Sequence, residues 1–349
     1  MLMDSKLLAS KFRGCLLGAL LGDCLGAPYE GEVLGAGAKV VLQKYFDKLE
    51  GPYFKCPVKQ YTDDTAMTQC IARSLIDQQH LNQHDLAQRF VKEYFLHPKR
   101  GYGGAVVEVF HKLRNSKFSD PTGPAREQFS GTGSYGNGAA MRVAPISLFF
   151  YQNYDQLVKM AKSSAEITHS HKLGVDGAIL QAVAVHQSLE VPSNSSLDTK
   201  EFIAKLIEKM SAIEKDDEGL GLEDPQPYVK QLHHVSTMLN SSEIAHETVI
   251  EKLGNSVAAL YSVPTAIYCF LRSQQPISGI QTDNIFRRAL QYSISLGGDT
   301  DTIASMAGAL VGAHLGHEVI PPNLIRHCEN SETIISLAND ILDASKNVT

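Results

Sequence analysis

Apolar residues recur along most of this chain at spacings of three and four, the pattern of helices that bury one face. In 201–213, Phe202, Ile203, Leu206, Ile207, Met210 and Ile213 form one stripe, and Ile334, Leu337, Ala338, Ile341 and Leu342 form another. The same period predicts helices over 66–77, 86–95, 106–113, 157–167, 175–189, 261–271 and 285–294. Alternation of period two is scarce. Its best instance, 39–46, is a lone segment with no hairpin partner. The pattern therefore predicts an all-α fold, a compact orthogonal multi-helix bundle.

Two stretches are apolar on every side. Gly14, Gly18, Gly22 and Gly26 recur every fourth position in the first, and Gly308, Gly312 and Gly316 in the second. In lipid such a repeat marks a helix-pairing face. The 303–315 run is shorter than the roughly 20 residues that span a bilayer, and Asp23 and His314 interrupt the two stretches. Both are expected to be buried helices whose glycines admit a neighbouring backbone. The connector 191–196 and the acidic, glycine-containing surface loop 214–224 punctuate the chain without dividing it. One domain over 1–349 is the simplest organisation.

Composition narrows the partners. The 349 residues are 43% hydrophobic and 20% charged, with a formal net charge of −6. A core of some size is affordable, and the basic footprint of a nucleic-acid binder is missing. The six cysteines show no CxxC spacing and read as reduced core thiols of an intracellular protein. The start of the chain has too short an apolar stretch for a signal peptide.

Two short acidic runs stand out: Thr62-Asp63-Asp64-Thr65 and Gly297-Gly298-Asp299-Thr300-Asp301-Thr302. Each places two carboxylates and threonine hydroxyls just before an apolar helical pattern. Asp and Thr there ordinarily cap a helix N-terminus. The same oxygens are ligands of a hard divalent cation, magnesium or manganese rather than zinc. The near repetition, once behind a Gly-Gly pair, favours the metal reading. If folding joins the halves, four carboxylates suit a two-metal site that clamps substrate oxygens and orients a water.

Gly131-Thr132-Gly133-Ser134-Tyr135-Gly136-Asn137-Gly138 formally contains GxGxxG. A dinucleotide fingerprint must follow a strand, and the preceding 121–130 stretch is loop-like. The segment is either a flexible surface turn or a loop that offers backbone N–H groups to phosphate, at the start of a helical pattern over 139–150. Phe129 and Tyr135 are then available to stack on a base. Gly101-Tyr102-Gly103-Gly104 is a second glycine loop at a helix start. His169 and His171 fit a polar contact or helix C-terminal cap better than a ligand pair, and His233-His234 fits a solvent-facing helix. Neither HExxH nor GxSxG occurs. Pro28 ends the first glycine helix and puts Tyr29-Glu30-Gly31 on a loop. There Glu30 is either an exposed loop acid or a mobile acid, base or gate, with Asp23 and Glu32 nearby.

The ordered set of Gly18-Ala19-Leu20-Leu21-Gly22-Asp23, Glu30, the 62–65 run, the 133–142 segment GSYGNGAAMR, the 262–272 segment SVPTAIYCFLR and the 295–302 segment SLGGDTDT closely resembles the ADP-ribosylhydrolase family, over nearly the whole chain. It is most similar to the branch that releases ADP-ribose from serine and degrades poly(ADP-ribose). The resemblance implies an all-α fold around a central binuclear site holding two Mg2+ ions. Thr62, Asp63, Asp64, Asp299, Asp301, Thr302 and the mobile Glu30 are the implied ligands, and Glu30 is also the implied catalytic residue. The implied substrate contacts are Asp63, Gly103, Gly104, Phe129, Thr132, Gly133, Ser134, Tyr135, Gly136, Asn137, Gly138, His169 and Val257. Phe129 and Tyr135 flank the adenine in this reading, and 132–138 holds the diphosphate. The implied partners are ADP-ribose, poly(ADP-ribose) and serine-ADP-ribosylated proteins, with O-acetyl-ADP-ribose as a further substrate. No direct nucleic-acid or membrane contact is implied. The implied state is a monomer of the nucleus and cytoplasm, with the mitochondrial matrix as a further compartment. An arginine-directed hydrolase, a non-catalytic ADP-ribose-binding relative and a two-metal phosphoesterase releasing AMP are the competing readings.

Overall fold

The computed structural model describes residues 4–192, 196–214, 224–241 and 243–346. Among these residues the chain forms helices and a few isolated bridges, and no strand. In chain order the first eight helices are α1 (Ser5–Gly26), α2 (Ala36–Glu50), α3 (Asp63–Gln78), α4 (Gln83–Leu96), α5 (Gly104–Asn115), α6 (Gly123–Arg126), α7 (Ala144–Phe149) and α8 (Tyr154–Ala165). The next five are α9 (Lys172–Glu190), α10 (Thr199–Ile213), α11 (Pro227–Met238), α12 (His246–Leu253) and α13 (Ala259–Arg272). The last are α14 (Ile285–Ser295), α15 (Thr300–Leu315), α16 (Pro322–Ile325) and α17 (Ser331–Ser345). Local caps start several of them. Asn82, Asn153 and Asp198 each accept N–H bonds from the first turn of the helix that follows.

The centre of the molecule is the pair α1 and α15, both buried along most of their length. Their glycine stripes face each other. A Cβ on Gly14 or Gly18 would overlap the backbone of Gly312 or Gly308, and one on Gly22 would overlap Ala304. Only glycine admits so close a crossing. The same contact sets the end of α1 beside the start of α15, because a Cβ on Gly26 would meet Thr300 and Asp301 within 2.6 Å. The packing of two apolar helices thereby delivers one acidic run to a fixed place. No helix of the described residues is long and apolar enough to cross a membrane.

In keeping with the all-α expectation, even the alternating 39–46 segment lies inside α2, where Leu42, Phe46 and Leu49 share the buried face while Val40 and Val41 face out. Three other expectations are corrected. The 139–150 pattern is broken: a 3₁₀ turn, Asn137–Ala139, precedes α7, which begins only at Ala144 with Pro145 in its first turn. His171 is the N-cap of α9, accepting from Leu173 N–H, rather than a C-terminal cap. Glu214 is buried rather than part of a surface loop, and its carboxylate accepts the N–H groups of Tyr228 and Val229 at 3.0 and 2.9 Å, at the start of α11. Residues 193–195 of the expected connector and 215–223 of the acidic loop lie outside the described residues.

Candidate active site

Folding brings the two acidic runs together. Thr302 Oγ1 donates to Asp64 Oδ2 at 3.3 Å across 238 positions of sequence, and Thr62 Oγ1 reaches the same oxygen at 3.3 Å. Each run is fixed from behind. Thr62 caps α3, accepting from Asp64 N–H. The fully buried Asp23 carboxylate takes the N–H of Thr62 at 2.9 and 3.1 Å, the N–H of Thr65 at 3.1 Å and the Thr65 hydroxyl at 2.6 Å. Asp63 N–H donates to the Arg100 carbonyl.

The second run is held by its backbone. Asp299 N–H donates to the Asn255 carbonyl at 2.9 Å, and Asp299 occupies the N-cap position of α15 without making a cap bond. Its carboxylate instead accepts Asn137 Nδ2 at 2.5 Å. Gly297 and Gly298, at φ +70° and +72°, adopt the left-handed turn this needs. Reciprocal bonds, Gly31 N–H to the Gly298 carbonyl and Gly298 N–H to the Glu32 carbonyl, bind the Glu30 loop to the same turn. Carboxylate oxygens of the exposed Glu30 and the buried Asp299 and Asp301 consequently lie within 4.8 Å of one another.

This is an unbalanced concentration of negative charge. Among the described residues none of Asp23, Glu30, Asp63, Asp64, Asp299 and Asp301 forms an ion pair with lysine or arginine. Burial, followed by repulsion from Asp23 and Asp301, raises Asp63 and Asp64 well above the usual carboxylate range. Burial and then Asp299 push Asp301 up to about 7. Burial raises Asp23 to about 7 despite the bond from Thr65. Asp299 and Glu30 are raised too, burial being the larger cause for each. Buried carboxylates so crowded are stable as anions only beside a compensating cation. Asp64 Oδ1 is buried with no hydrogen-bond partner among the described residues, and hard carboxylate and hydroxyl oxygens are the donors a divalent cation takes. The residues present fit such an ion.

The runs form one wall of a cavity of about 310 Å³. Glu30, Asp63, Asp64, Asp299, Asp301 and Thr302 line it together with Gly103, Gly104, Ser134, Gly136, Asn137, Gly138, His169 and Val257. The glycine loop is stitched to the segment before α13 by Asn137 N–H to the Val257 carbonyl and Ala259 N–H to the Tyr135 carbonyl, at 2.9 and 3.0 Å. That pairing explains how Val257 reaches the rim.

A family model described as ADP-ribosylglycohydrolase matches residues 4–348. The chain belongs to this family. It is 45% identical over 344 residues to the mouse protein named ADP-ribosylhydrolase ARH3, covering 95% of this chain and 91% of that one. The chicken ADP-ribosylhydrolase ARH3 is 44% identical over 348 residues, with 95% and 92% covered. A solved structure titled ADP-ribosylglycohydrolase-related protein complex superposes with a TM-score of 0.70 at 22% identity, covering 97% of this chain and 99% of that chain, which shows the shared fold. The protein is a hydrolase acting on glycosidic bonds of ADP-ribose.

Not every residue singled out in the sequence of this ADP-ribosylglycohydrolase lines the cavity. Phe129 and Tyr135 are 55% and 53% exposed outside it, and Tyr135 meets His171 edge-on at 5.9 Å. Phe129 and Ser130 both have left-handed backbone, φ +51° and +58°, a turn that holds the Phe129 ring out in solvent. Thr132 lines a separate cavity with Arg126, Glu166 and His171, its hydroxyl bonded to the Phe129 carbonyl. Gly133 packs against Ser170, and Thr62 stands behind Asp64. Conversely, Gln128, Met141, Arg142 and Thr168 line the cavity and are not among the expected site residues. Arg142 left one signal in the sequence, a lone charge inside the apolar 139–150 stretch. Asp23 shows in the sequence only as a carboxylate near the first glycine helix; the fold makes it the brace of the first run.

Proposed function

We propose that this protein is a magnesium-dependent hydrolase that cleaves the O-glycosidic bond joining ADP-ribose to serine and the bond joining units of poly(ADP-ribose). The observation carrying the reading is the Thr302–Asp64 contact, which joins two distant carboxylate runs beside a cavity walled by a glycine loop. Thr62, Asp63, Asp64, Asp299, Asp301, Thr302 and Glu30 hold two Mg2+ ions in this proposal. Bound there, the metal supplies charge compensation and Lewis acidity toward ribose oxygens and water.

The chain's own residues do the rest. Gly103, Gly104 and the 134–138 part of the glycine loop bind and orient the diphosphate, and Val257 closes over the ligand. Phe129 and Tyr135 take the adenine between them; they are exposed aromatic rings next in sequence to residues that line the cavity, large apolar surfaces that a base would cover. Hydrolysis breaks the bond between ribose C1 and the serine oxygen and forms one from C1 to a water oxygen, through an oxocarbenium-like state. One proton leaves the water and one reaches the serine oxygen. Glu30, on a loop at the mouth, is the carboxylate free to move one of them.

Incubation with a serine-ADP-ribosylated peptide and magnesium, with and without chelator, tests this by product mass. The expected products are free ADP-ribose and unmodified peptide, only with the metal. AMP release would instead indicate phosphoesterase chemistry, and cleavage only of arginine-linked substrate would redirect the acceptor.

A further inference from the structure

The cavity lining also holds a buried cation, Arg142, that forms no ion pair with a carboxylate among the described residues; its Nη1 reaches Met67 Sδ, one turn into α3, at 3.7 Å. Arg142 is wholly buried, its guanidinium lying 4.6 Å over the Phe90 ring. Its Nη2 donates to the Ser164 carbonyl at 3.0 Å and to Thr168 Oγ1 at 2.8 Å. Thr168 Oγ1 in turn lies 2.7 Å from His169 Nδ1. From this chain of contacts we infer that Arg142 and Thr168 fix the tautomer of His169, so that its ring meets the cavity as an N–H donor at Nε2.

The argument is one of hydrogen-bond direction. A guanidinium only donates, so Thr168 Oγ1 accepts from Arg142. The hydroxyl has one hydrogen, and Thr168 is fully buried. Donated to His169 Nδ1, that hydrogen completes the chain, and the ring proton then sits on Nε2. In the opposite tautomer Nδ1–H would donate to Oγ1, and the hydroxyl hydrogen would have no acceptor among the described residues. Leaving a buried donor unpaired is unfavourable. The cation behind Thr168 acts in the same direction, because it disfavours a proton at the near nitrogen. Burial and Arg142 also lower the His169 pKa to about 3, so the ring is neutral.

The surroundings hold this arrangement still. Gln128 Nε2 donates to the Thr168 carbonyl at 2.6 Å, and Thr168 and His169 N–H both return to the Ala165 carbonyl. The Nε2 edge faces the glycine loop: a Cβ on Gly138 or Gly136 would lie 3.3 or 3.5 Å from that nitrogen. His169 thus offers a fixed donor to an oxygen acceptor, a ribose hydroxyl or a diphosphate oxygen. It does not serve as a proton acceptor. This last assignment rests on ADP-ribose being the ligand; the tautomer does not.

Long-range proton–nitrogen correlation on the full chain labelled with 15N-histidine, without ligand, reads the tautomer directly. The expected His169 pattern is an unprotonated Nδ1 and a protonated Nε2, unchanged between pH 5 and 8. A protonated Nδ1, or a doubly protonated ring in that interval, overturns the inference. Thr168→Val should lose the pattern and weaken free ADP-ribose binding about tenfold, while Thr168→Ser, which keeps the hydroxyl, should restore both. A Val variant that folds and retains the Nε2–H pattern overturns the relay. The wild-type spectrum decides the matter even if the Val variant fails to fold. Absence of any ADP-ribose binding beside the expected spectrum would count against the proposed ligand and leave the relay standing.

Discussion

The floor and the rim of the cavity are built on opposite principles. On the floor, Asp64, Asp299 and Asp301 are buried with no basic partner among the described residues, and their placement depends on contacts such as Thr302–Asp64 across the chain. On the rim, Val257 and the two aromatic residues next in sequence to lining residues, Phe129 and Tyr135, are 61%, 55% and 53% exposed and touch little of the core. A floor residue strains the folded protein to create a site, whereas a rim residue leaves the fold almost untouched. The two classes should therefore separate cleanly when activity and stability are measured side by side.

The largest effect is expected on the floor. Asp301→Ala should abolish turnover while circular dichroism keeps its helical signature. In chelator it should melt higher than the parent, because one member of a repelling buried cluster is gone. Added magnesium should raise the parent's melting temperature in a saturable way and leave the variant's unmoved. Normal turnover by Asp301→Ala would end the metal-site reading, and a lower melting point in chelator would end the idea of stored repulsion.

Glu30 belongs to both classes, exposed yet within 4.8 Å of two floor carboxylates. Glu30→Gln keeps its size and removes the ionisable proton. Turnover is expected to fall by roughly two to four orders of magnitude if it transfers a proton, with the melting temperature and ADP-ribose affinity close to the parent's. A Gln variant that works at the parent rate restricts Glu30 to gating.

A smaller, purely rim effect is expected for Tyr135→Ala. Stacking on a base is worth about 1–3 kcal/mol, so calorimetry with free ADP-ribose should show that loss without a change in melting temperature. Unchanged affinity together with a collapsed melting point would make Tyr135 a structural residue. The smallest effect belongs to Thr132→Ala. Its side chain lines a separate cavity, so ADP-ribose affinity should change by about twofold or less, in the range of a surface substitution. A tenfold loss would extend the binding surface beyond the rim drawn here.

Local order was legible in the sequence because it is written locally. The stripes through Phe202 and Ile334 became α10 and α17, and the glycine repeats at Gly14 and Gly308 were visible as surfaces for close approach. Where local signals conflicted, packing decided. The alternating stretch through Val40 and Val41 has no strand partner, and Leu42, Phe46 and Leu49 bury it as part of α2; the apolar run after Gly138 promised one helix and delivered a 3₁₀ turn and the short α7. The types of chemical group at the site were also evident from the two acidic runs and the glycine loop. Their resemblance to a hydrolase family was legible for the same reason, since motifs are local strings.

Only the tertiary structure decided which of those groups meet. Asp64 finds Thr302 because α1 and α15 cross at their glycines, a contact no short window contains. Asp23 braces the first run through hydrogen bonds 39 and 42 positions away. Arg142 is a single charge within an apolar stretch of the sequence, and only the fold sets Thr168 and His169 beside it. A residue's type and its neighbours in sequence determine what it can donate, accept or bury. Its partners in space follow from the packing of whole helices, and at this site those partners set each group's charge, tautomer and direction.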